Sequence, residues 1–138
     1  MKAEELMLGD WVSFTMTYSS GIGKIIGIEP REGMGSKGST FTILFVKDRQ
    51  NIVHVGARAV NVTPVPLTKE ILEKNGWKKL ETAYWWRGGE IPVLLDMYDE
   101  QYGWCLSIDR YHIPCECKFV HQLQQAMRLC GITKEIEV

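Results

Sequence analysis

The stretch Thr63-Pro64-Val65-Pro66-Leu67-Thr68 separates a strand-rich first half of the chain from a second half that begins with a helix. Its two prolines hold the backbone extended and prevent a helix from starting before they are passed. The final threonine is a good N-cap, and Leu67 and Leu72 have the spacing of a hydrophobic staple. Gly76 supplies a left-handed stop. The sequence therefore predicts a domain boundary after residue 66 and a short helix from Lys69 to Asn75.

Five short strands are predicted before this stretch. Apolar and polar residues alternate from Trp11 to Met16, as they do in a half-buried strand. The same pattern recurs less regularly at Ile22 to Glu29, Thr40 to Val46, Ile52 to Val55 and Ala59 to Val62, with Gly56-Ala57 separating the last two. Short strands rich in Val and Ile cannot bury their apolar faces as a flat sheet. We therefore expect an SH3-like five-stranded β-barrel over residues 1–66.

The second half is predicted to be a helix, an antiparallel sheet and a second helix. Four strands are expected, at Trp77 to Glu81, Ala83 to Arg87, Glu90 to Met97 and Tyr102 to Asp109. Apolar residues then recur at helical spacing at Phe119, Val120, Leu123, Met127 and Cys130, followed by a stop at Gly131 and a short strand at Ile132 to Glu137. The fold class is therefore α+β, with the small barrel followed by a helix–antiparallel sheet–helix unit over residues 67–138.

The charge balance excludes the simplest functional classes. The chain has 138 residues, with 16 Lys and Arg against 17 Asp and Glu, so net charge gives no reason for nonspecific binding to nucleic acid or to a membrane. The N-terminal residues lack the positive flank and apolar run of a signal peptide, and no window has the ~18 apolar residues of a membrane span. We therefore expect a cytoplasmic protein with reduced cysteines.

Two groups of residues resemble sites of chemistry but lack the required spacing or context. His112, Cys115, Cys117 and His121 supply the ligand types of zinc, but a Cys-x-Cys pair without a second pair is not the usual spacing of a structural zinc site. A thiol acting with one of these histidines has no supporting local signature. The glycine-rich segment 33–38 is followed by a strand rather than by a phosphate-binding helix. The sequence predicts no metal, no cofactor and no catalytic residue.

Trp85 and Trp86, flanked by Tyr84 and Arg87, form the most unusual local feature. Adjacent residues on a strand face opposite sides, so one tryptophan can fill the core while the other stands with Tyr84 on the outer surface. An exposed large aromatic side chain often marks a contact site. The competing interpretation is that a helix or the barrel covers this surface. We take all four residues as candidate binding residues.

A second candidate group lies in the first turns of the last helix. His121 is expected beside the apolar stripe rather than inside it. Its ring either packs and hydrogen-bonds to the sheet or the barrel, or is presented with Gln124 and Gln125 as a polar recognition face. Both interpretations remain open, and the structural one is favoured.

Three segments carry a resemblance to a known family: Leu8-Gly9-Asp10-Trp11-Val12, the stretch from Pro64 to Leu72 with Gly76-Trp77, and Val120-His121-Gln122-Leu123-Gln124. In this order they resemble small uncharacterised proteins encoded by prophages and mobile elements of gut anaerobic bacteria. The resemblance spans most of the chain. It implies a cytoplasmic bacterial protein of phage or mobile-element origin, and it implies no mechanism.

The leading hypothesis is therefore a non-enzymatic interaction module that binds a protein partner. The alternative is a nucleic-acid-binding accessory protein, because small barrels bind nucleic acids and aromatic side chains stack on single-stranded bases. This alternative requires a basic face formed by Lys24, Arg49, Arg58, Lys78, Lys79 and Arg87.

Overall fold

A computed structural model describes residues 6–29, 40–46, 52–58, 61–81, 83–86, 92–99, 103–108 and 111–138. These residues form mostly strands with two helices, which is an α+β fold. The chain divides into two compact units, Met1–Val65 and Pro66–Val138. The division predicted from the sequence falls one residue later in the chain.

The first unit is a curled half-barrel of five antiparallel strands. The strands are β1 (Trp11–Met16), β2 (Ser19–Glu29), β3 (Thr40–Val46), β4 (Ile52–Arg58) and β5 (Val62–Pro64). Their order in the sheet is β4-β3-β2-β1-β5, so β5 returns to pair with β1. The predicted bounds of β1 and β3 are confirmed, and β2 begins three residues earlier than Ile22.

Alternation places one side of each strand in the core of the first unit. Val12, Phe14, Ile25 and Ile43 are at most 1% exposed. The ring of Phe45 packs edge-on against Phe14 with 5.2 Å between centroids. Gly21 makes this arrangement possible, because a Cβ there would collide with the Phe45 ring. The absence of a side chain at Gly21 in β2 therefore leaves the space that the Phe45 ring occupies.

The end of the first unit differs from the prediction. Gly56-Ala57 lies inside β4 instead of separating two strands, because Ala57 is fully buried opposite Phe41. The predicted strand from Ala59 to Val62 begins outside the described residues, and the observed β5 extends into the proline-rich stretch as far as Pro64. A proline is tolerated there because β5 is at the edge of the sheet.

The segment Leu8-Gly9-Asp10 forms a turn that fixes the start of β1. Gly9 adopts a left-handed conformation with φ of 86°. Asp10 is fully buried, and its carboxylate accepts a hydrogen bond of 2.8 Å from the Met7 amide. The backbones of Gly9 and Asp10 each bond to Ile25, at 2.7 and 2.9 Å. These contacts give the segment a structural role.

The second unit contains both helices and the second sheet. Its elements are α1 (Lys69–Lys74), β6 (Lys78–Leu80), β7 (Ala83–Trp86), β8 (Val93–Asp99), β9 (Gly103–Ile108), β10 (Tyr111–Cys117) and α2 (Val120–Leu129). The sheet is an antiparallel meander in the order β10-β9-β8-β7-β6. The predicted start of α1 is confirmed, since the Thr68 hydroxyl accepts a hydrogen bond from the Ile71 amide. The predicted stop is also confirmed, with φ of 84° at Gly76.

Strand β10 is missing from the sequence prediction. It contains Pro114, which has no amide to donate to a neighbouring strand and which argues against a strand when the sequence is read alone. The structure accommodates this residue because β10 is an edge strand and its register shifts between Ile113 and Glu116. The strand predicted at Ile132 to Glu137 belongs to neither sheet.

Strand register defines two faces of the second sheet. Tyr84, Leu95 and Leu106 pair across three strands and are at most 2% exposed. We call their side the helix-side face, because the Tyr84 hydroxyl bonds to Glu73 of α1 at 3.2 Å. The opposite side, the outer face, carries the cross-strand row Lys78, Trp85, Leu94 and Ser107.

Candidate binding site

The two adjacent tryptophans lie on opposite faces of the second sheet, as strand alternation requires. Trp86 is half-buried on the helix-side face, where its ring centroid is 6.1 Å from that of Trp77. Trp85 is half-buried on the outer face, with the Lys78 ammonium 5.4 Å from its ring centroid. Leu80, two residues along β6 from Lys78, is 51% exposed. The outer face therefore combines aromatic, apolar and cationic side chains.

Tyr84 does not belong to the outer surface, so the expectation for this residue is wrong. It is 2% exposed and packs edge-on against Trp104 with 5.5 Å between ring centroids. Burial raises the pKa of the Tyr84 phenol, and the nearby Glu73 carboxylate raises it further. Tyr84 shares its side with Trp86, and on that side its hydroxyl bonds to Glu73 of α1. Arg87 lies outside the described residues.

Residues 132–138, which we call the strap, are held by side-chain amides instead of by a strand. The Gln124 side chain of α2 donates from Nε2 to the Lys134 carbonyl at 3.1 Å. Its Oε1 accepts from the Ile136 amide at 2.6 Å. Gln124 thus bonds to the strap backbone as a neighbouring strand would.

Asn75, the C-cap of α1, binds the strap in the same way. Its Oδ1 accepts from the Glu137 amide at 2.8 Å, and its Nδ2 donates to the Glu137 carbonyl at 2.7 Å. A further bond of 2.7 Å from Nδ2 to the Ile71 carbonyl fixes the orientation of the amide. The Lys134 ammonium donates to the Asn75 carbonyl at 2.6 Å.

Together these contacts place the strap between α1 and α2. Backbone polar groups of successive residues in an extended chain point to alternate sides. Lys134 and Ile136 accordingly bond to Gln124, while Glu137 bonds to Asn75. We call Asn75, Trp86 and Gln124 the strap site, because the Lys134 ammonium also lies 5.3 Å from the Trp86 ring centroid.

The strap site is closed to water where its polar groups meet the strap. Gln124 is 2% exposed and Asn75 is 5% exposed. Ile136 is 2% exposed and supplies the apolar anchor of the strap. A buried amide that loses its hydrogen bonds costs roughly 1 to 3 kcal/mol, so these two side chains need an extended backbone beside them.

His121 and Gln124 are buried, so their placement does not fit the less favoured interpretation, a polar recognition face formed with Gln125. His121 is 2% exposed and lies inside the buried face of α2, stacked on Phe119 with 5.9 Å between ring centroids. Gln124 faces the strap, and Gln125 is half-buried. The placement of His121 agrees with the packing interpretation, because its ring is removed from the surface.

Sequence reasoning missed Asn75 and Lys134. Asn75 precedes Gly76, so it reads only as the end of a helix. The partner of its side chain, Glu137, lies 62 residues further along the chain. Neither periodicity nor local motif connects positions so far apart, and only the tertiary fold brings them together.

The groups considered for metal or thiol chemistry are only partly described. Within the described ranges, no group of three or more His, Cys, Asp or Glu residues is placed to hold a metal ion. Cys117 is fully buried at the end of β10. The side chains of His112 and Cys115, and the glycine-rich segment 33–38, lie outside the described residues.

The basic residues do not form a continuous face in the part of the second unit that the structure describes. Lys78 and Lys79 are successive residues of β6, so they point to opposite faces of the sheet. In the first unit, the Lys24 ammonium lies 5.2 Å from the ring centroid of Trp11, and Arg58 is exposed. Arg49 and Arg87 lie outside the described residues.

Comparison with known proteins found no significant match to the chain among protein-family models, curated proteins or solved structures. Neither of the described helices has the length and apolar character needed to cross a lipid bilayer.

Proposed function

We propose that this protein is a non-enzymatic interaction module that binds a protein partner through the outer face of its second sheet. The observation that carries the proposal is the placement of Trp85 on that face. Its ring is half-buried, a lysine lies over it, and Leu80 nearby is 51% exposed. Tryptophan is among the residue types enriched at the few positions that supply most of the affinity of protein interfaces.

The contrast with Trp86 supports this assignment. Trp86 contacts Trp77 and Lys134 of its own unit, so its position is explained by packing. On the outer face, the ring of Trp85 receives a cation from the exposed Lys78 side chain. A large aromatic ring held beside a flexible exposed lysine presents both apolar area and charge to a partner.

Two further proposals concern the fold of the first unit and the origin of the protein. We propose that the first unit is SH3-like, supported by the return of β5 to β1 and by the register shift between Ile25 and Gly27 in the long strand β2. We further propose, from the sequence resemblance, that the protein is a cytoplasmic accessory protein of a phage or mobile element.

Site-specific cross-linking tests the proposed surface. A photoreactive benzophenone amino acid replaces Leu80, next to Trp85, in chain expressed in bacterial cells. The matched control places it at Leu129, which is 89% exposed on α2. The expected result is a discrete protein adduct from position 80 that is absent from position 129. Equal labelling from both positions contradicts the proposal.

Affinity measurements with the captured protein complete the test. The partner is produced separately, and its binding to the purified full chain is measured by calorimetry. We expect Trp85→Ala to weaken binding at least about tenfold, as for a tryptophan at the centre of an interface. Trp11→Ala is the matched control, because Trp11 also lies under a lysine but in the first unit. An unchanged affinity in Trp85→Ala refutes the assignment.

The nucleic-acid alternative is kept because of one observation, the Lys78 cation over the Trp85 ring on an antiparallel sheet. Its test is fluorescence anisotropy with a labelled single-stranded oligothymidine at two salt concentrations. The protein-binding proposal predicts no binding at physiological salt. Salt-dependent binding that is lost in Trp85→Ala would instead support the alternative.

A further inference from the structure

The strap site recognises features that any extended peptide possesses. Gln124 bonds to the backbone of Lys134 and Ile136, and Asn75 bonds to both backbone polar groups of Glu137. These bonds are indifferent to the identity of the side chains they pass. Bonding to main-chain groups gives affinity in peptide recognition, and side-chain pockets add specificity.

Two side chains of the strap supply the specificity. Ile136 is buried at 2% exposure, and the Lys134 ammonium lies over the Trp86 ring and bonds to the Asn75 carbonyl. Between and beside them, Glu135 and Glu137 have exposed side chains. The contacts of the strap with the site thus include those of a lysine and, two positions later, of a branched apolar residue.

We propose that the strap site is a peptide-binding groove, that residues 132–138 are its internal occupant, and that an extended partner peptide with this Lys-x-Ile pattern takes their place. The inference does not depend on binding at the outer face, because the strap lies on the opposite side of the sheet. The strap is held there by Gln124, Asn75 and Trp86, by the burial of Ile136, and by a bond of 2.9 Å from the Lys74 ammonium to the Val138 carbonyl.

The end of α2 allows the strap to leave without unwinding the helix. Gly131 is left-handed, with φ of 77°, and its amide bonds to the Arg128 carbonyl. The Ile132 amide bonds to the Met127 carbonyl at 2.9 Å. These bonds close the helix before Lys134, the first residue bonded to Gln124, so release of residues 134–138 leaves them in place.

The covalent link makes the strap a strong competitor. A segment tied to its site by a short linker acts at an effective concentration on the order of millimolar. A peptide added in trans binds only the fraction of molecules with an open site, so its apparent Kd is raised by that fraction. Weakening the strap without changing the groove must therefore tighten the binding of the added peptide.

The experiment uses a fluorescein-labelled peptide with the sequence of residues 132–138, Ile-Thr-Lys-Glu-Ile-Glu-Val, titrated with full-length protein and followed by anisotropy. The strap-weakened protein is Ile136→Ala. Lys134→Ala, at an exposed position, is the second variant should Ile136→Ala fail to fold. We expect either folded variant to bind the peptide at least about tenfold more tightly than the unmodified chain.

Two controls define the site. Adding Gln124→Leu to the strap-weakened protein removes both bonds to Lys134 and Ile136 and is expected to abolish peptide binding. A peptide with Asp in place of its second Ile is expected not to bind. The inference is overturned by a folded strap-weakened variant that binds no peptide, or by binding that Gln124→Leu leaves intact. Because Trp85 lies on the opposite face of the sheet from Trp86, Trp85→Ala is expected to leave peptide affinity unchanged, so this test and that of the outer face can fail independently.

Discussion

The two faces of the second sheet use the same residue types for different purposes. On β7 and β8, Trp86 and Leu95 face the helices, while their chain neighbours Trp85 and Leu94 face outward. Leu95 is fully buried, whereas Leu94 is half-buried. In these two pairs the residue type is the same on both faces, so the parity of each position along its strand decides the environment. Substituting each member of the pairs Trp85/Trp86 and Leu94/Leu95 therefore compares the two faces with the residue type held constant.

The helix-side face also differs in its polar groups. On this face Tyr84 bonds to Glu73 of α1 and Trp86 lies under Lys134 of the strap, whose backbone is bonded by the buried side chains of Asn75 and Gln124. On the outer face, the exposed ammonium of Lys78 lies over Trp85, and Ser107 of the same cross-strand row is 6% exposed. The charged group of Lys78 is thus accessible, whereas the side-chain amides of Asn75 and Gln124 are buried.

The largest difference between the faces is expected for the paired leucines of β8. Leu95→Ala removes a fully buried side chain and should lower the free energy of unfolding by about 2 to 5 kcal/mol. Leu94→Ala, one position earlier and half-buried, should cost about 1 kcal/mol or less. Urea unfolding followed by far-ultraviolet circular dichroism measures both. Equal losses would show that the faces are equally packed.

The next largest effect is expected at the strap site. Gln124→Ala leaves the backbone groups of Lys134 and Ile136 without their partner and should cost roughly 1 to 3 kcal/mol. Gln125→Ala changes the same residue type at the next, half-buried position of α2 and should cost less than half as much. Thermal melts compare the stability of the two variants. A larger loss of stability for Gln125→Ala would contradict the role of Gln124 in holding the strap.

A smaller effect is expected at the start of α1, which covers the helix-side face. Thr68→Ala removes the acceptor of the Ile71 amide and should lower stability by about 1 kcal/mol. Thr68→Ser retains a hydroxyl cap and should remain within about 0.5 kcal/mol of the unmodified chain. Both are measured by denaturant unfolding. If the serine variant loses as much as the alanine variant, the hydroxyl is not the stabilising group.

The smallest effect is confined to alkaline solution and concerns Tyr84. Its pKa is raised above the ordinary value of 10.0, first by burial and then by the Glu73 carboxylate. Between pH 10 and the pKa of the folded state, the phenol therefore stays protonated in the folded protein and ionises in the unfolded protein. The stability it contributes is complete below pH 10 and is lost as the pH rises towards the folded pKa.

Tyr84→Phe should therefore flatten the alkaline loss of stability. The difference in unfolding free energy between the two proteins is measured from pH 8 to pH 11 by denaturant titration. It should stay constant below about pH 10 and shift in favour of the phenylalanine variant above it. A difference that is constant over the whole range would show that Tyr84 titrates normally in the folded protein.

Local patterns were sufficient to predict much of the fold. The alternation from Trp11 to Met16 and the proline stretch with its cap at Thr68 both specify elements through residues close in sequence. The positions of Trp85 and Trp86 on opposite faces follow from strand geometry in the same way. Such features depend on neighbours one to four positions away, which the sequence displays directly.

The candidate site was predicted less well, because it depends on distant residues. Alternation shows that Tyr84 and Trp86 share a face, but not that α1 covers this face. Gln124 reads as a polar helix surface until residues 134–136 are placed against it. Pro114 conceals β10, whose position at the edge of the sheet is a property of the assembled meander.

The central claim is that the strap is bound between α1 and α2 by two side-chain amides. Amide hydrogen exchange followed by NMR tests it directly at Ile136 and Glu137, whose N–H groups bond to Gln124 and Asn75 respectively. Both should exchange at least about tenfold more slowly than in an unstructured peptide. Gln124→Ala should release Ile136 most, and Asn75→Ala should release Glu137 most. Exchange of both amides at the rate of an unstructured peptide in the unmodified chain would contradict the claim.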